Sequence, residues 1–289
     1  MSDERIAPAP ATDRPRRILV AEDNAMNQKV ILRQLMLLGF EADMTGDGRE
    51  ALLRWQRGQY GLLLSDLHMP YMDGFELTAA IRGIEQAGST HLPIFALTAN
   101  AMQGEARRCR EAGMDGYLSK PLQLGDLKNL LQLWLPTVSA SVPAAGNDAL
   151  HASGEAPVDV RVLEALVGED PVVIRELLAH FQASANQIAG LLGHYCAQRQ
   201  SLLVSEQAHK LGSAARAAGA LELGMCCAEL EAAGASGDTD NLARLWLLFE
   251  RELEAVNGFL EALRRAPEEQ SGTAADDGPR VDHAGTANS

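Results

Sequence analysis

Five polar positions in the first half of the 289-residue chain could do chemistry together: Glu22, Asp23, Asp66, Thr98 and Lys120. Each stands where an apolar run ends. Ile18–Ala21 runs into Glu22 and Asp23, Leu62–Ser65 into Asp66, Pro93–Leu97 into Thr98, and the short Tyr117–Leu118 segment into Ser119 and Lys120. Three clustered carboxylates repel one another unless positive charge lies among them. Lys120 supplies one charge, and a hard cation would supply the rest. Mg²⁺ suits such a site, because it takes one or two carboxylates together with water and phosphate oxygens. A carboxylate beside Mg²⁺, a lysine and a hydroxyl can attack a phosphoryl group and form an acyl phosphate. An acidic strand end alone reads as a helix N-cap, but that reading does not account for all four strand ends at once.

His209 is a second candidate nucleophile. Val204, Ala208, Leu211, Ala215 and Ala218 recur at spacings of four and three and define a buried helical stripe. At ~100° per residue, His209 lies roughly 130° from the centre of that stripe. Its own face carries Ser205, Glu206, Gly212, Ser213 and Arg216, which are small or polar. An accessible imidazole poised near neutral pH is therefore expected. Two other patterns carry less. Gly46-Asp47-Gly48-Arg49-Glu50-Ala51 imitates a dinucleotide-binding loop, but the strand before it, Phe40–Thr45, is half polar and is not the first of its sheet. Arg107-Arg108-Cys109-Arg110 reads as a solvated helix face rather than a docking patch.

Parallel-sheet geometry would position the first set. Buried-type runs at Ile18–Ala21, Gly61–Leu64 and Pro93–Leu97, the half-exposed Phe40–Thr45 and the short Tyr117–Leu118 alternate with helical stretches near 26–38, 48–58, 73–86, 104–112 and 123–135. Apolar strands alternating with helices predict a five-stranded, doubly wound parallel sheet. Ligands of such sheets bind outside the carboxyl ends of the strands, so the five polar residues should converge on one pocket. The second half carries no strand signal. Helices are expected near 159–166, 170–192, 198–217, 219–233 and 239–264, with Asp170-Pro171 and Asp238-Thr239-Asp240 as starts and Gly219 and Gly234 as stops. They predict an antiparallel four-helix bundle with a short extra N-terminal helix. The division expected is an unstructured arm at 1–15, an α/β unit at 16–136, a flexible linker at 137–157, a helical unit at 158–265 and an acidic tail at 266–289.

Composition narrows the function classes. Acidic residues outnumber basic ones by 39 to 25, a net charge of −14, which disfavours binding nucleic acid through a basic surface. Six of those charges belong to 158–265, whereas 16–136 is nearly neutral. No run approaches the ~20 apolar residues of a transmembrane helix, and the start Met-Ser-Asp-Glu-Arg does not read as a secretory signal. Cys109, Cys196, Cys226 and Cys227 lack metal-ligand spacing and read as reduced thiols, so a cytoplasmic location is expected.

The motifs ILVAEDN, LLLSDLHMPYMDG, ALTANA and GYLSKP, in that order, resemble the response-regulator receiver domain over nearly the whole first block. The resemblance implies a flavodoxin-like sheet of order 2-1-3-4-5. It implies Asp66 as phosphoacceptor, with Glu22, Asp23, Asp66 and the backbone carbonyl of His68 holding Mg²⁺. Thr98 would bind the phosphoryl group, Lys120 would pair with it, and Tyr117 would be the aromatic residue whose orientation follows phosphorylation. The segment AHKLGSAARAAGA, with the later Leu230-Glu231 pair and a Gly-Asp start to the last helix, resembles a histidine-containing phosphotransfer (HPt) domain. His209 then aligns with the phosphorylated histidine and Gly219 with a glycine ten positions on. Gly212 stands where that family usually has a lysine, and Arg216 on the same face could replace it.

Together these resemblances imply a two-component phosphorelay intermediate, similar to the receiver–HPt tail of tripartite hybrid sensor kinases. Its expected partners are an upstream sensor histidine kinase and a downstream response-regulator receiver, with no nucleic acid and no membrane. The two blocks leave no room for an ATP-binding kinase domain, so the chain is expected to pass phosphoryl groups rather than generate them. The alternative is a phosphorylation-switched binding module whose helical unit is degenerate at Gly212. A phosphohydrolase with an aspartyl nucleophile would carry an acid two residues after Asp66, where this chain has His68.

Overall fold

The computed structural model describes residues 15–85, 91–99, 103–135 and 156–265. The tails and nearly all of the expected linker lie outside the described residues. The first part alternates β1 (Arg17–Ala21), α1 (Ala25–Leu37), β2 (Glu41–Thr45), α2 (Gly48–Arg57), β3 (Leu62–Asp66), α3 (Gly74–Glu85), β4 (Ile94–Thr98), α4 (Gln103–Glu111), β5 (Gly116–Ser119) and α5 (Leu124–Trp134). The second comprises α6 (Val160–Val167), α7 (Pro171–Ala197), α8 (Ser201–Ala218), α9 (Leu221–Ser236) and α10 (Thr239–Arg265).

All five strands are parallel, in the order β2-β1-β3-β4-β5 that the receiver resemblance implies. The period of two sorts their side chains into two cores. Ile18, Val20, Leu62, Leu64, Phe95 and Leu97 pack beneath α1 and α5. Leu19, Ala21, Leu63, Ile94 and Ala96 pack on the opposite face, with Ala51 of α2, Leu77 and Ile81 of α3, and Cys109 of α4. Burial on both faces explains why β1, β3 and β4 are nearly continuous in apolar residues.

In the helical region α7 packs on α8, α8 on α9, α9 on α10, and α10 returns to α7, while α6 lies against α7 and α8. Three helix ends differ from the sequence reading. α7 continues to Ala197 because nothing after residue 192 breaks it. It ends at Arg199 (φ 55°), which adopts the left-handed conformation usually left to glycine. The Gln200 amide then bonds back to the Tyr195 carbonyl at 3.0 Å, and α8 starts at Ser201. Gly234 does not stop α9, which runs on to Ser236 and ends at Gly237 (φ +73°). Gly234 instead lets α9 approach α8, since a Cβ there would fall 2.6 Å from the Ser201 carbonyl oxygen. Gly219 (φ +82°) does end α8, and it accommodates the Asp159 backbone at the start of α6.

The two parts are packed together. Met26 and Val30 of α1 are buried in the same core as α6, α7 and α8, while Ile31 and Leu35 of the same helix face the sheet. At the periphery Arg33 of α1 meets the α7 cap residue Asp170 at 3.7 Å.

Candidate functional site

The carboxyl ends of β1 and β3 bring Glu22, Asp23 and Asp66 together, each offering an oxygen within 4.8 Å of the others. Lys120, just past β5, reaches two of them: its Nζ lies 2.7 Å from Glu22 Oε2 and 2.6 Å from Asp66 Oδ2. Asn27 Nδ2 and the Asn24 amide donate to Glu22 Oε1 at 3.1 and 3.2 Å, and the His68 amide donates to Asp66 Oδ1 at 3.3 Å. Burial pushes the Glu22 carboxyl well above the usual carboxylate range, and the Lys120 ammonium only partly offsets this. Burial likewise opposes the charge on Lys120, but its two carboxylate neighbours hold its pKa above the ordinary value. Thr98 is buried at the end of β4, and its carbonyl accepts from the Lys120 amide at 2.8 Å. Tyr117 in β5 is 41% exposed. The β3–α3 turn closes beneath the site at Gly74, where a Cβ would strike the Asp66 carbonyl oxygen.

The donor set suits Mg²⁺, because all three side chains present hard carboxylate oxygens within 4.8 Å of one another.

His209 lies at the mouth of this pocket, not on an open surface. Its Nδ1 is 2.9 Å from Glu231 Oε1 on α9, and its ring meets that of His68 edge-on at 5.0 Å between centroids. The side chain is 17% exposed. The sequence reading expected an accessible imidazole. That face of α8 is instead covered by α9 and by the α/β part, so Gly212 and Ser213 are buried as well. The Glu231 contact raises the His209 pKa above its usual value, against the effect of burial, and Asp66 adds to the rise. For Glu231 burial pushes upward, but His209 and Arg216 hold the carboxyl below its usual range.

The next residue, Lys210, reaches across the junction. Its Nζ lies 2.7 Å from Asp23 Oδ2, and its carbonyl accepts from Asn24 Nδ2 at 2.9 Å. Asn27 Nδ2 also donates to Ser213 Oγ at 2.9 Å. A cleft of about 600 Å³ opens beside these contacts, with Asp23, His68 and Tyr71 on one wall and Ser205, Glu206 and His209 on the other. The sequence reading missed Lys210, Asn24, Asn27 and the side chain of His68 as members of this region. Glu231 was legible only as part of a motif.

The other singled-out patterns have local roles. Asp47 caps α2 by accepting from the Glu50 amide at 2.9 Å, and Gly48 is pressed against Met72, which leaves no space for a pyrophosphate. Arg108 stacks over Phe75 at 4.8 Å, and Arg107 meets Glu111 at 3.6 Å. Gly212 is set by packing: a Cβ there would lie 3.0 Å from Cys227 Cβ and 3.4 Å from Arg216 Nη1. Among the described residues no helix is long and apolar enough to cross a membrane.

The family model of the response regulator receiver domain matches residues 18–132. Over 267 residues, 88% of this chain, the sequence is 32% identical to the virulence sensor protein BvgS of Bordetella parapertussis and spans 21% of that protein. Over 146 residues, 48% of this chain, it is 38% identical to the sensor histidine kinase RcsC of Escherichia coli and spans 15% of it. The chain thus corresponds to about a fifth or less of the length of these relatives. A crystal structure of the receiver domain of a Pseudomonas aeruginosa sensor histidine kinase, with magnesium in its active-site cleft, is 39% identical. It covers 42% of this chain and 98% of its own, with a TM-score of 0.39. Sheet order, the acidic pocket with its lysine, and the family match converge: residues 18–132 are a response regulator receiver domain of the kind found in hybrid histidine kinases.

Proposed function

We propose that the chain is a phosphorelay intermediate in which Asp66 and His209 exchange a phosphoryl group within one molecule. Residues 16–136 act as the receiver and 158–265 as an HPt unit. The observation that carries the reading is the seating of His209 at the pocket mouth with Nδ1 against the Glu231 carboxylate. A carboxylate only accepts, so Nδ1 carries the proton and Nε2 is left with the lone pair.

In the proposed transfer, His209 Nε2 attacks the phosphorus of phospho-Asp66. An N–P bond forms, the P–O bond to Asp66 breaks, and its electron pair returns to the carboxylate. Glu231 accepts the hydrogen bond from Nδ1–H, which keeps its proton, and balances the charge that develops on the ring. Lys120 neutralises Asp66 and the phosphoryl oxygens, and Thr98 stands at the strand end beside them. Mg²⁺ held by Glu22, Asp23, Asp66 and the His68 carbonyl would neutralise further charge on the phosphoryl group. The donor to Asp66 is a sensor kinase phosphohistidine, and the acceptor from His209 is the aspartate of a further receiver. The alternative, a degenerate helical unit acting as a scaffold, rests on Gly212. The contact of Gly212 with Cys227 accounts for that glycine through helix packing and supports the first reading.

The test is phosphotransfer from a phosphorylated donor kinase to wild type, Asp66→Asn and His209→Gln. The reading expects no label on Asp66→Asn and an acid-stable, base-labile label retained by His209→Gln. It also expects a wild-type Asp66-to-His209 rate independent of protein concentration. If His209→Gln feeds a downstream receiver as fast as wild type, the reading fails.

A further inference from the structure

Asp23 already has a cation, and it comes from the helical region. The Lys210 ammonium contacts Asp23 Oδ2 at 2.7 Å, while Lys120 is engaged with Glu22 and Asp66. The Asp23 side chain is 6% exposed and Oδ2 is fully covered. Lys210 is anchored from both ends, since its own carbonyl is held by Asn24 Nδ2. We propose that Lys210 and Mg²⁺ are alternative occupants of Asp23, so that docking of the helical region and metal binding by the receiver oppose each other.

The proposal rests on Glu22, Asp23 and Asp66 being the metal site of the reading above. Three carboxylates against two ammoniums leave this pocket with one negative charge. A divalent ion added without displacing Lys210 would leave a net positive charge in a buried space, with two cations sharing one oxygen. Mg²⁺ also requires near-octahedral ligands at short range, which an ammonium on the same oxygen obstructs. Release of Lys210 resolves both conflicts. The apolar contacts of Met26 and Val30 and the Asn27–Ser213 bond do not involve Asp23, so the metal loosens the junction without dismantling it. By linkage, whatever factor the metal takes from docking, docking takes from metal affinity.

The experiment is calorimetric titration of the full chain with MgCl2, for wild type, Lys210→Met and Lys210→Arg, each first shown to melt cooperatively. Lys210→Met should bind Mg²⁺ roughly tenfold more tightly than wild type, within the usual range of such couplings. Lys210→Arg should stay near wild type. Amide hydrogen exchange in α1 and α8 at the junction should quicken in wild type on adding Mg²⁺, and that of Lys210→Met should depend on it less. Equal affinities for wild type and Lys210→Met overturn the proposal, as does an absence of Mg²⁺ binding in both. The titration contains no phosphoryl donor, so failure of the phosphotransfer reading would show separately.

Discussion

Glu231 of α9 grips His209 of α8 by Nδ1 at 2.9 Å, which fixes both the tautomer and the ring plane of the imidazole. Glu231 therefore stabilises the protonated ring, and the His209 pKa lies above its ordinary 6.5. A raised pKa means that this stabilisation is fully present below about 6.5 and is lost as pH rises through the folded value. Nucleophilicity runs the other way, because Nε2 needs its lone pair. The Asp66-to-His209 transfer rate should climb with pH across that window. Glu231→Gln keeps an acceptor for the Nδ1 proton but removes the charge, so its rate profile should move to lower pH, with a plateau below that of wild type because the charge developing on the ring is no longer balanced. Glu231→Ala frees the ring and should lower the plateau on the order of a hundredfold, the cost of a ~1 Å misplacement. Single-turnover transfer at a series of pH values would check both.

Val30 is buried between the receiver and the helical region. Val30→Asp should separate them, because an unpaired carboxylate is costly there and harmless once exposed. The expected outcome is a larger radius of gyration with near-native helix content, together with a slower, concentration-dependent transfer. Scattering and rapid-quench kinetics on the same sample would measure the two effects.

Gly212 invites a repair that should fail. Placing lysine there would restore the residue usual in HPt domains, but the new Cβ would press on Cys227 Cβ. The strain of overpacking, typically ~1–3 kcal/mol, outweighs the ~1 kcal/mol gained by removing a mid-helix glycine. Gly212→Lys and Gly212→Ala should both lower the melting temperature. Adding Cys227→Gly should recover part of the loss, which a double-mutant cycle would quantify.

Arg82 ties α3 to the loops before β4 and β5. It donates to the Gly113 and Leu92 carbonyls and pairs with Glu85 at 2.6 Å and Asp115 at 2.8 Å. Arg82→Leu leaves the Glu85 and Asp115 carboxylates, both largely buried, without the guanidinium they share. A loss of about 3 kcal/mol is expected, at the lower end for breaking such pairs. Denaturant unfolding of wild type and Arg82→Leu side by side would measure it.

The acidic pocket was legible because parallel strands advertise their ends. Apolar runs four or five residues long break into Glu22 and Asp66, and the sheet rule says where those breaks meet. The junction was hidden because its bonds join residues 186 positions apart, as Asn27 and Ser213 do, and depend on how two units dock. Met26 and Val30 gave no warning, since isolated outward apolar residues are ordinary on helices. The exposure of His209 was misjudged for a related reason. A period of 3.6 shows which face meets the helix's own bundle and is silent about a second body on the other side. Gly212 read as a missing lysine when its neighbour Cys227, fifteen residues on, was the cause.

The α1 helix spends its two faces on two cores, one beneath the sheet and one among α6, α7 and α8. The tethered unit is therefore a built-in competitor for that face. A foreign protein approaching Asp66 over α1 must displace a rival that never diffuses away, whose local concentration is set by the chain rather than by expression level. Under the proposed relay, this would place insulation against crosstalk in the receiver's own architecture. Cells that make many similar relays would then need less fine discrimination at the pocket itself.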